Sequence, residues 1–480
     1  MKKPIERILY SVFVVLCVFS LGQAQKIDMK KLKGMKARNI GPGGMSGRVT
    51  SIDAVYSNPN IIYCGTASGG LWKSESGGVS WKPIFEKEKV ASIGAVAVNQ
   101  KTPNIIWVGT GEGNPRNSQT SGAGVYRSQD GGRTWKFLGL GKTRTIHRIV
   151  LHPDNPDVAY IGAQGSAWGD HPERGVYKTT DGGKTWKHIL KVNKRTGVAD
   201  MIVDPANPDK LIVALWEFRR WPYKFKSGGK GSGMHITFNG GKTWKKLTSK
   251  DGLPKGELGR MGLTISYSNP NIVYAFVEAK KNGIYKSTDG GLTWKNVGAK
   301  GPFGNRPFYY ADIYVDPQNE NRLYSLWSNV SRSEDGGKTW KLIAGYINNV
   351  HPDNHAMWIH PKDGKFMMLG NDGGMYITRD MGKNWRFMNN IPVAQYYHIN
   401  VDNNMPYHVY GGSLDPFDKS NNTVYFGSQY VHKSTNGGED WTIISGDLTT
   451  NDKQKQKESN KTGGLTPDIT GAENFNSILA

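Results

Sequence analysis

Ser128-Gln129-Asp130-Gly131-Gly132-Arg133-Thr134-Trp135 is a string the chain writes eight times. Close copies are TTDGGKTW (Thr179 to Trp186), TFNGGKTW (Thr237 to Trp244), STDGGLTW (Ser287 to Trp294) and SEDGGKTW (Ser333 to Trp340). Looser ones are SESGGVSW (Ser74 to Trp81), TRDMGKNW (Thr378 to Trp385) and STNGGEDW (Ser434 to Trp441). Successive tryptophans are 54, 51, 58, 50, 46, 45 and 56 residues apart, a regularity that marks one structural unit repeated. Each position has a physical task. Asp130, Asp181, Asn239, Asp289, Asp335, Asp380 and Asn436 are suited to accept hydrogen bonds from N–H groups of their own turn, and the glycines supply positive φ. The tryptophan buries a large apolar surface, expected between neighbouring sheets. Val125-Tyr126-Arg127 before the first string and Lys136-Phe137-Leu138 after it make the unit a hairpin.

A second signal precedes many of the strings: an Asn-Pro turn followed by a short apolar run. Asn58-Pro59 leads into Ile61-Ile62-Tyr63, Asn155-Pro156 into Val158-Ala159-Tyr160, Asn207-Pro208 into Leu211-Ile212-Val213, and Asn269-Pro270 into Ile272-Val273-Tyr274. A further apolar stretch, such as Met201-Ile202-Val203, lies upstream of each turn. Four strands in about 50 residues match one propeller blade, so the expected fold is an all-β propeller of seven to ten four-stranded blades. The last unit is irregular. His408-Val409-Tyr410 and Val424-Tyr425-Phe426 are two candidate second strands before a single string, as if two blades were compressed into one.

Composition agrees. With 61 glycines, 11% aromatics and only 37% hydrophobic residues among 480, the chain suits many short strands joined by tight turns and argues against a helical protein. The first 24 residues read as an export leader: Lys2, Lys3 and Arg7, an apolar run from Ile8 to Leu21, and a Gly22-Gln23-Ala24 cleavage site. The expected division is therefore a leader at 1–24, the propeller at 25–445, and at 446–480 a polar tail or the start of another blade. Export by this leader implies a periplasmic, cell-surface or extracellular protein. Cys17 leaves with the leader and Cys64 remains alone, so no internal disulfide can form.

The repeated string resembles the Asp-box, or bacterial neuraminidase repeat, over roughly residues 35 to 445. With its Asn-Pro turns the chain is similar to the sortilin-type propeller, to exported bacterial proteins of the sortilin-like and glycosyl hydrolase kind, and to two-propeller xyloglucanase-type hydrolases. In these families the box is structural and faces away from the ligand site. The xyloglucanase-type resemblance would place a catalytic Asp in a T-D-x-G-G string after the second strand of the first blade. Here that string is Thr66-Ala67-Ser68-Gly69-Gly70. Ala67 cannot exchange a proton, which removes half of the usual carboxylate pair. No early F-R-I-P motif of the sialidase kind is present.

Candidate functional residues fall in the loops opposite the boxes. Blade two offers Glu112 in Gly111-Glu112-Gly113-Asn114; blade three offers Trp168, Asp170 and His171; blade four offers Trp216-Glu217-Phe218-Arg219-Arg220-Trp221. Exposed aromatics stack on sugars or peptide side chains and arginines pair with carboxylates, whereas the plain alternative is that Trp216 and Trp221 pack on a neighbouring loop. The last constellation is Asp353-Asn354-His355-Ala356-Met357-Trp358 with Asn371-Asp372-Gly373-Gly374, similar to the D-x-H-A-x-W and N-D-G-G strings of the sortilin-like exported family. Asp353, His355 and Asp372 are the weak candidates for a metal set; a hydrogen-bonded His at the channel mouth is the alternative. Arg48, Arg148 and Arg260 open first strands and converge on the same channel.

Two functions follow. The absent carboxylate at Ala67 favours a non-catalytic, sortilin-like binder of a peptide, protein or glycan through Arg48, Trp168, Trp216, Arg219, Trp221, His355 and Trp358. The other is a glycoside hydrolase, either with carboxylates recruited from elsewhere, such as Glu112, Asp170, Glu217 or Asp372, or as one half of a two-propeller site. Neither needs a cofactor, and a monomer is expected. The formal charge of +22 falls to about +20 once the leader's three cations and one anion leave, and much of it is written into the boxes, as at Lys184, Lys242, Lys338 and Lys383. These lysines either form a basic ring that rests on an anionic cell surface or keep sheet edges from pairing. An exported chain with no recognisable module for it is not expected to bind nucleic acid.

Overall fold

The computed structural model describes residues 47–115, 119–221 and 224–394, with shorter segments of 398–448 and residue 453; the leader lies outside the described residues. Seven antiparallel sheets follow one another along the chain, at 49–83, 93–137, 146–190, 196–247, 261–296, 313–344 and 354–387. In each, the strands pair in chain order from the first to the fourth. Among the first strands Ile93–Val98 is a continuous apolar run in which every residue is buried, while others, such as Ile146–Leu151, also carry charged residues. The fourth strands are short and wet, as in Lys136–Phe137, where both residues are exposed.

The hydrophobic cores lie between sheets rather than within them. Tyr63, Leu71 and Phe85 of blade 1 pack on Ile93, Val96 and Val108 of blade 2, and equivalent clusters fill each following interface. The seventh cluster joins Trp358, Met368 and Met375 of blade 7 to Val49, Ile62 and Trp72 of blade 1. The ring is thus closed by seven blades. Gly370 shows how tightly: a Cβ there would meet Val49 Cγ1 at 2.5 Å.

Each box works as its residue types demand. Asp130 Oδ1 accepts from Thr134 N at 2.9 Å and Oδ2 from the Thr134 hydroxyl at 2.6 Å, while Ser128 Oγ accepts from Gly132 N at 2.8 Å. Gly131 and Gly132 have φ of 72° and 91°. The tryptophan then stitches neighbouring blades together. Trp135 Nε1 donates to Ile84 O at 2.6 Å, Trp186 Nε1 to Leu138 O at 2.7 Å and Trp244 Nε1 to Ile189 O at 3.0 Å, each acceptor lying in the preceding blade. Trp294 and Trp340 instead donate to Gly291 O and Gly337 O of their own boxes.

The eighth box follows a ring that seven sheets have already closed. His398–Val401 pairs with Val409–Gly412, and Val424–Gly427 pairs with Val431–Ser434, which pairs in turn with Thr442–Ile443. The irregular last unit thus forms two separate sheets.

Candidate functional site

The first strands line the axis of the ring, and five of them carry a charged residue, just before the strand or within it, that is ion-paired with a residue of another blade. Those positions alternate in charge. Blades 1, 3 and 5 supply Arg48, Arg148 and Arg260; blades 4 and 6 supply Asp200 and Asp312. Blades 2 and 7 add acids from the ends of their second strands, Glu112 after Ile106–Thr110 and Asp372 after Asp363–Asn371. Buried charges need partners, and the alternation provides one for each.

Arg48 is the centre of one network. Its Nη1 is 2.6 Å from Glu112 Oε1 and its Nε 2.8 Å from Asp372 Oδ1. Asp372 also takes His355 Nε2 at 2.7 Å and the Tyr309 hydroxyl at 3.0 Å. The two carboxylates titrate in opposite directions. Burial dominates at Glu112 and raises its pKa, the pull of Arg48 offsetting only part of the cost. Burial acts the same way on Asp372, but His355 and Arg48 outweigh it and hold that carboxyl well below its usual range. Glu112 Oε2 is buried with no hydrogen-bond partner among the described residues. Asp372, with 21% of its side chain exposed, is the solvent-facing member.

A second network lies alongside. Arg148 pairs with Asp200 at 2.8 Å and with Asp312, and Asp200 Oδ2 accepts from Leu263 N at 2.8 Å. Arg260 joins the networks, reaching Asn114 Oδ1 at 3.2 Å, His147 Nε2 at 3.0 Å and Tyr309 O at 2.9 Å. Burial, with Arg148 and Arg260 close by, keeps His147 well below its ordinary pKa and hence neutral.

A cavity of about 70 Å³ opens onto the first network. It is lined by Arg48, Thr66, Ala67, Ser68, Gly69 and Glu112 among others, so Ala67 and Glu112 border one space. The other candidates gather elsewhere. Asp170, Glu217, Arg219 and Trp221 line a groove of about 410 Å³ beside blade 4, with Trp168 on the neighbouring loop at 40% exposure. Trp216, expected to meet a ligand, is fully buried, stacked on Phe218 at 4.1 Å and bonded through Nε1 to Ser227 Oγ, as the packing alternative requires. Trp358 is likewise core, edge-on to Phe366 at 5.4 Å, because it lies three residues further down the strand than His355. The metal set does not assemble: His355 spends Nε2 on Asp372, Asp353 is hydrogen-bonded to Tyr310, and no three His, Cys, Asp or Glu side chains converge among the described residues.

Tyr309, His147, Asp200 and Asp312 were not anticipated, and Asn114 stood in the blade-two string without a role of its own. Strand position carried the signal for two of them, since Asp312 stands just before a first strand as Arg48 does and His147 is the second residue of one, whereas Asp200 lies mid-strand. Tyr309 and Asn114 come from loops that no repeat places.

Comparison with known proteins agrees with this architecture. The family model described as "Sortilin, neurotensin receptor 3" matches residues 123–253. A xyloglucanase of a Paenibacillus species is 26% identical over 358 residues, 65% of this chain and 33% of its own length. A xyloglucanase of Acetivibrio thermocellus is 24% identical over 64% of this chain and 39% of its own. The chain thus spans about a third to two fifths of the length of these curated relatives. Two solved structures share the fold: the GH74 enzyme of Niastella koreensis (TM-score 0.58, 17% identity, 86% of this chain and 68% of that one) and the GH74 xyloglucanase of Xanthomonas campestris (TM-score 0.59, 17% identity, 84% and 68%). The resemblance to sortilin-like and xyloglucanase-like propellers therefore holds. The reading drawn from Ala67, of a non-catalytic binder, is corrected: the relatives matched over some two thirds of the chain are xyloglucanases, which favours the hydrolase alternative.

Proposed function

We propose that this chain is a glycoside hydrolase-type propeller acting on a β-linked polysaccharide after export, with Glu112 and Asp372 as its working carboxylates. The observation that carries the reading is that two acids gripping one guanidinium are pushed in opposite directions, Glu112 towards the protonated form and Asp372 towards the ionised. A separation of this kind assigns an acid and a stationary anion from environment alone. Sharing Arg48 also keeps the two on the scale of the ~5–9.5 Å that separates glycosidase carboxylates.

Glu112 compensates for Ala67. In the xyloglucanase-type resemblance a carboxylate would stand at position 67, and here Glu112 borders the same cavity from the adjacent blade. That cavity has room for a few waters or a sugar hydroxyl, not for a pyranose ring, so the polymer lies across its mouth. Glu112 gives its proton to the leaving glycosidic oxygen as the C–O bond breaks. Asp372, whose low pKa makes it a poor proton acceptor, stabilises the positive charge that develops on the sugar ring. Water adds to the anomeric carbon and its proton returns the acid to its starting form.

The relatives make xyloglucan the first substrate to try, with other β-glucans beside it. The purified mature chain is expected to release new reducing ends from at least one of them, at a rate that Glu112→Ala/Asp372→Ala abolishes. No release from any of these polymers by a folded chain overturns the proposal.

A further inference from the structure

The groove beside blade 4 takes no part in the channel network, and its electrostatics are unbalanced. The second strand of blade 4, Leu211–Trp221, overshoots its sheet, and its end pairs with Lys224–Ser227 in a two-stranded hairpin. Within that hairpin Arg219 stands directly opposite Lys226. Like charges facing each other across an antiparallel pair destabilise it.

Among the described residues neither Arg219 nor Lys226 is ion-paired. The two acids of the groove, though charged, do not close on them: Asp170 is 3.7 Å from Arg195, itself part of the lining, and Glu217 Oε2 accepts from Gly231 N at 2.8 Å. The scaffold around the groove is rigid. Buried Arg174 lies 4.6 Å from the Phe218 ring and donates to Gln164 O at 3.0 Å and Gly169 O at 3.3 Å, tying the 164–169 loop to the hairpin. The Trp221 ring is flanked by Arg219 at 5.5 Å and Lys224 at 5.1 Å, which holds positive charge along the wall. At about 410 Å³ the groove falls within the ~300–1,000 Å³ of ordinary ligand sites.

We propose that this groove binds a carboxylate-bearing sugar unit of an acidic polysaccharide, the carboxylate seated between Arg219 and Lys226 and the ring against the edge of Trp221. A planar carboxylate matches the fork of a guanidinium and completes the ion pairing that the hairpin lacks. The aromatic wall selects for a sugar over a bare anion. The site rests on the reading above only in taking a polysaccharide as ligand, not in its linkage, and on none of the channel carboxylates.

The test is calorimetric titration of the full mature chain with oligogalacturonate, with its carboxyl-reduced neutral counterpart and with inorganic sulfate. Three proteins are compared: wild type, Arg219→Gln/Lys226→Gln and Asp372→Asn. Oligogalacturonate is expected to bind wild type at least about tenfold more tightly than the neutral oligomer, and the groove variant should lose that preference. The groove variant should also melt no lower than wild type, since a repulsive pair has been removed. Asp372→Asn should bind oligogalacturonate as wild type does even where it hydrolyses nothing, which separates this site from the channel. Equal affinity for the charged and neutral oligomers overturns the proposal. So does displacement by sulfate at equal concentration, unchanged binding in the groove variant, or loss of binding in Asp372→Asn alone.

Discussion

Arg48 Nε donates to Asp372 Oδ1 over 2.8 Å although 324 positions separate the two residues in sequence. The bond joins the first strand of blade 1 to the end of a strand in blade 7, so the site and the closure of the ring depend on the same guanidinium. Arg48→Ala leaves Glu112 and Asp372 buried without their cation, which costs on the order of 3–5 kcal/mol. Urea unfolding is expected to show that loss, with Arg48→Lys falling between because an ammonium cannot serve both carboxylates as a fork does.

The opposite shifts of the two acids set opposite pH dependences. Glu112 has its folded pKa raised above 4.5, so its contribution to stability is full below that value and is lost as pH rises through the folded pKa. Asp372 has its folded pKa lowered below 3.8, so its contribution is present above that value and is lost only as pH falls through the folded pKa. Glu112→Gln is therefore expected to raise the melting temperature at neutral pH relative to wild type and to flatten its alkaline decline, which thermal melts from pH 4 to about 9 would record. Catalysis should fall on the alkaline side as Glu112 ionises, and Glu112→Gln should cost about 10²–10⁴-fold in kcat.

The boxes contribute through their tryptophans more than through their acids. Asp130→Ala removes an acceptor for Thr134 N and Thr134 Oγ1 in an exposed turn, worth about 1–3 kcal/mol. Trp135→Ala removes the edge contact with Phe85 at 5.2 Å and the bond to Ile84 O in the preceding blade, worth about 3–5 kcal/mol. Chemical unfolding of the two variants side by side should rank them in that order. A larger loss for Asp130→Ala would place the stabilisation in the turn.

Much of this was legible in the sequence because the boxes carry local rules. An Asp two residues past a Ser or Thr, two glycines and a Trp specify a turn wherever they occur, so blade boundaries could be read from Trp81, Trp135 and their successors. Closure was not legible, since nothing local distinguishes the contact of Gly370 with Val49 from that of any other neighbour, and the eighth box implied an eighth blade. Among the site residues, Arg48, Glu112, His355 and Asp372 were found because they sit at strand starts or in short marked strings. Trp216 was misplaced because the alternation of a strand that continues as a hairpin beyond its sheet does not reveal which face meets Phe225 and Phe308. Partnering across blades, as between Arg148 and Asp200, is a property of the ring and not of any window of sequence.

Ala67 gives the most direct experiment on the catalytic reading. The cavity that it lines is bounded by Arg48 and Glu112, so a carboxylate introduced there would meet a guanidinium already buried and already shared. Ala67→Asp is thus expected to fold, since the added charge has a partner and the cavity has room for its two oxygens. With three acids on one cation, Glu112 and Asp372 being there already, repulsion should raise the Glu112 pKa further. If Glu112 acts as the acid, the alkaline limb of the pH–rate profile should move upward in Ala67→Asp, and reducing-end release from xyloglucan on that limb should rise. Release that is unchanged in Ala67→Asp, with an unmoved alkaline limb, would show that proton donation comes from a group outside this cavity.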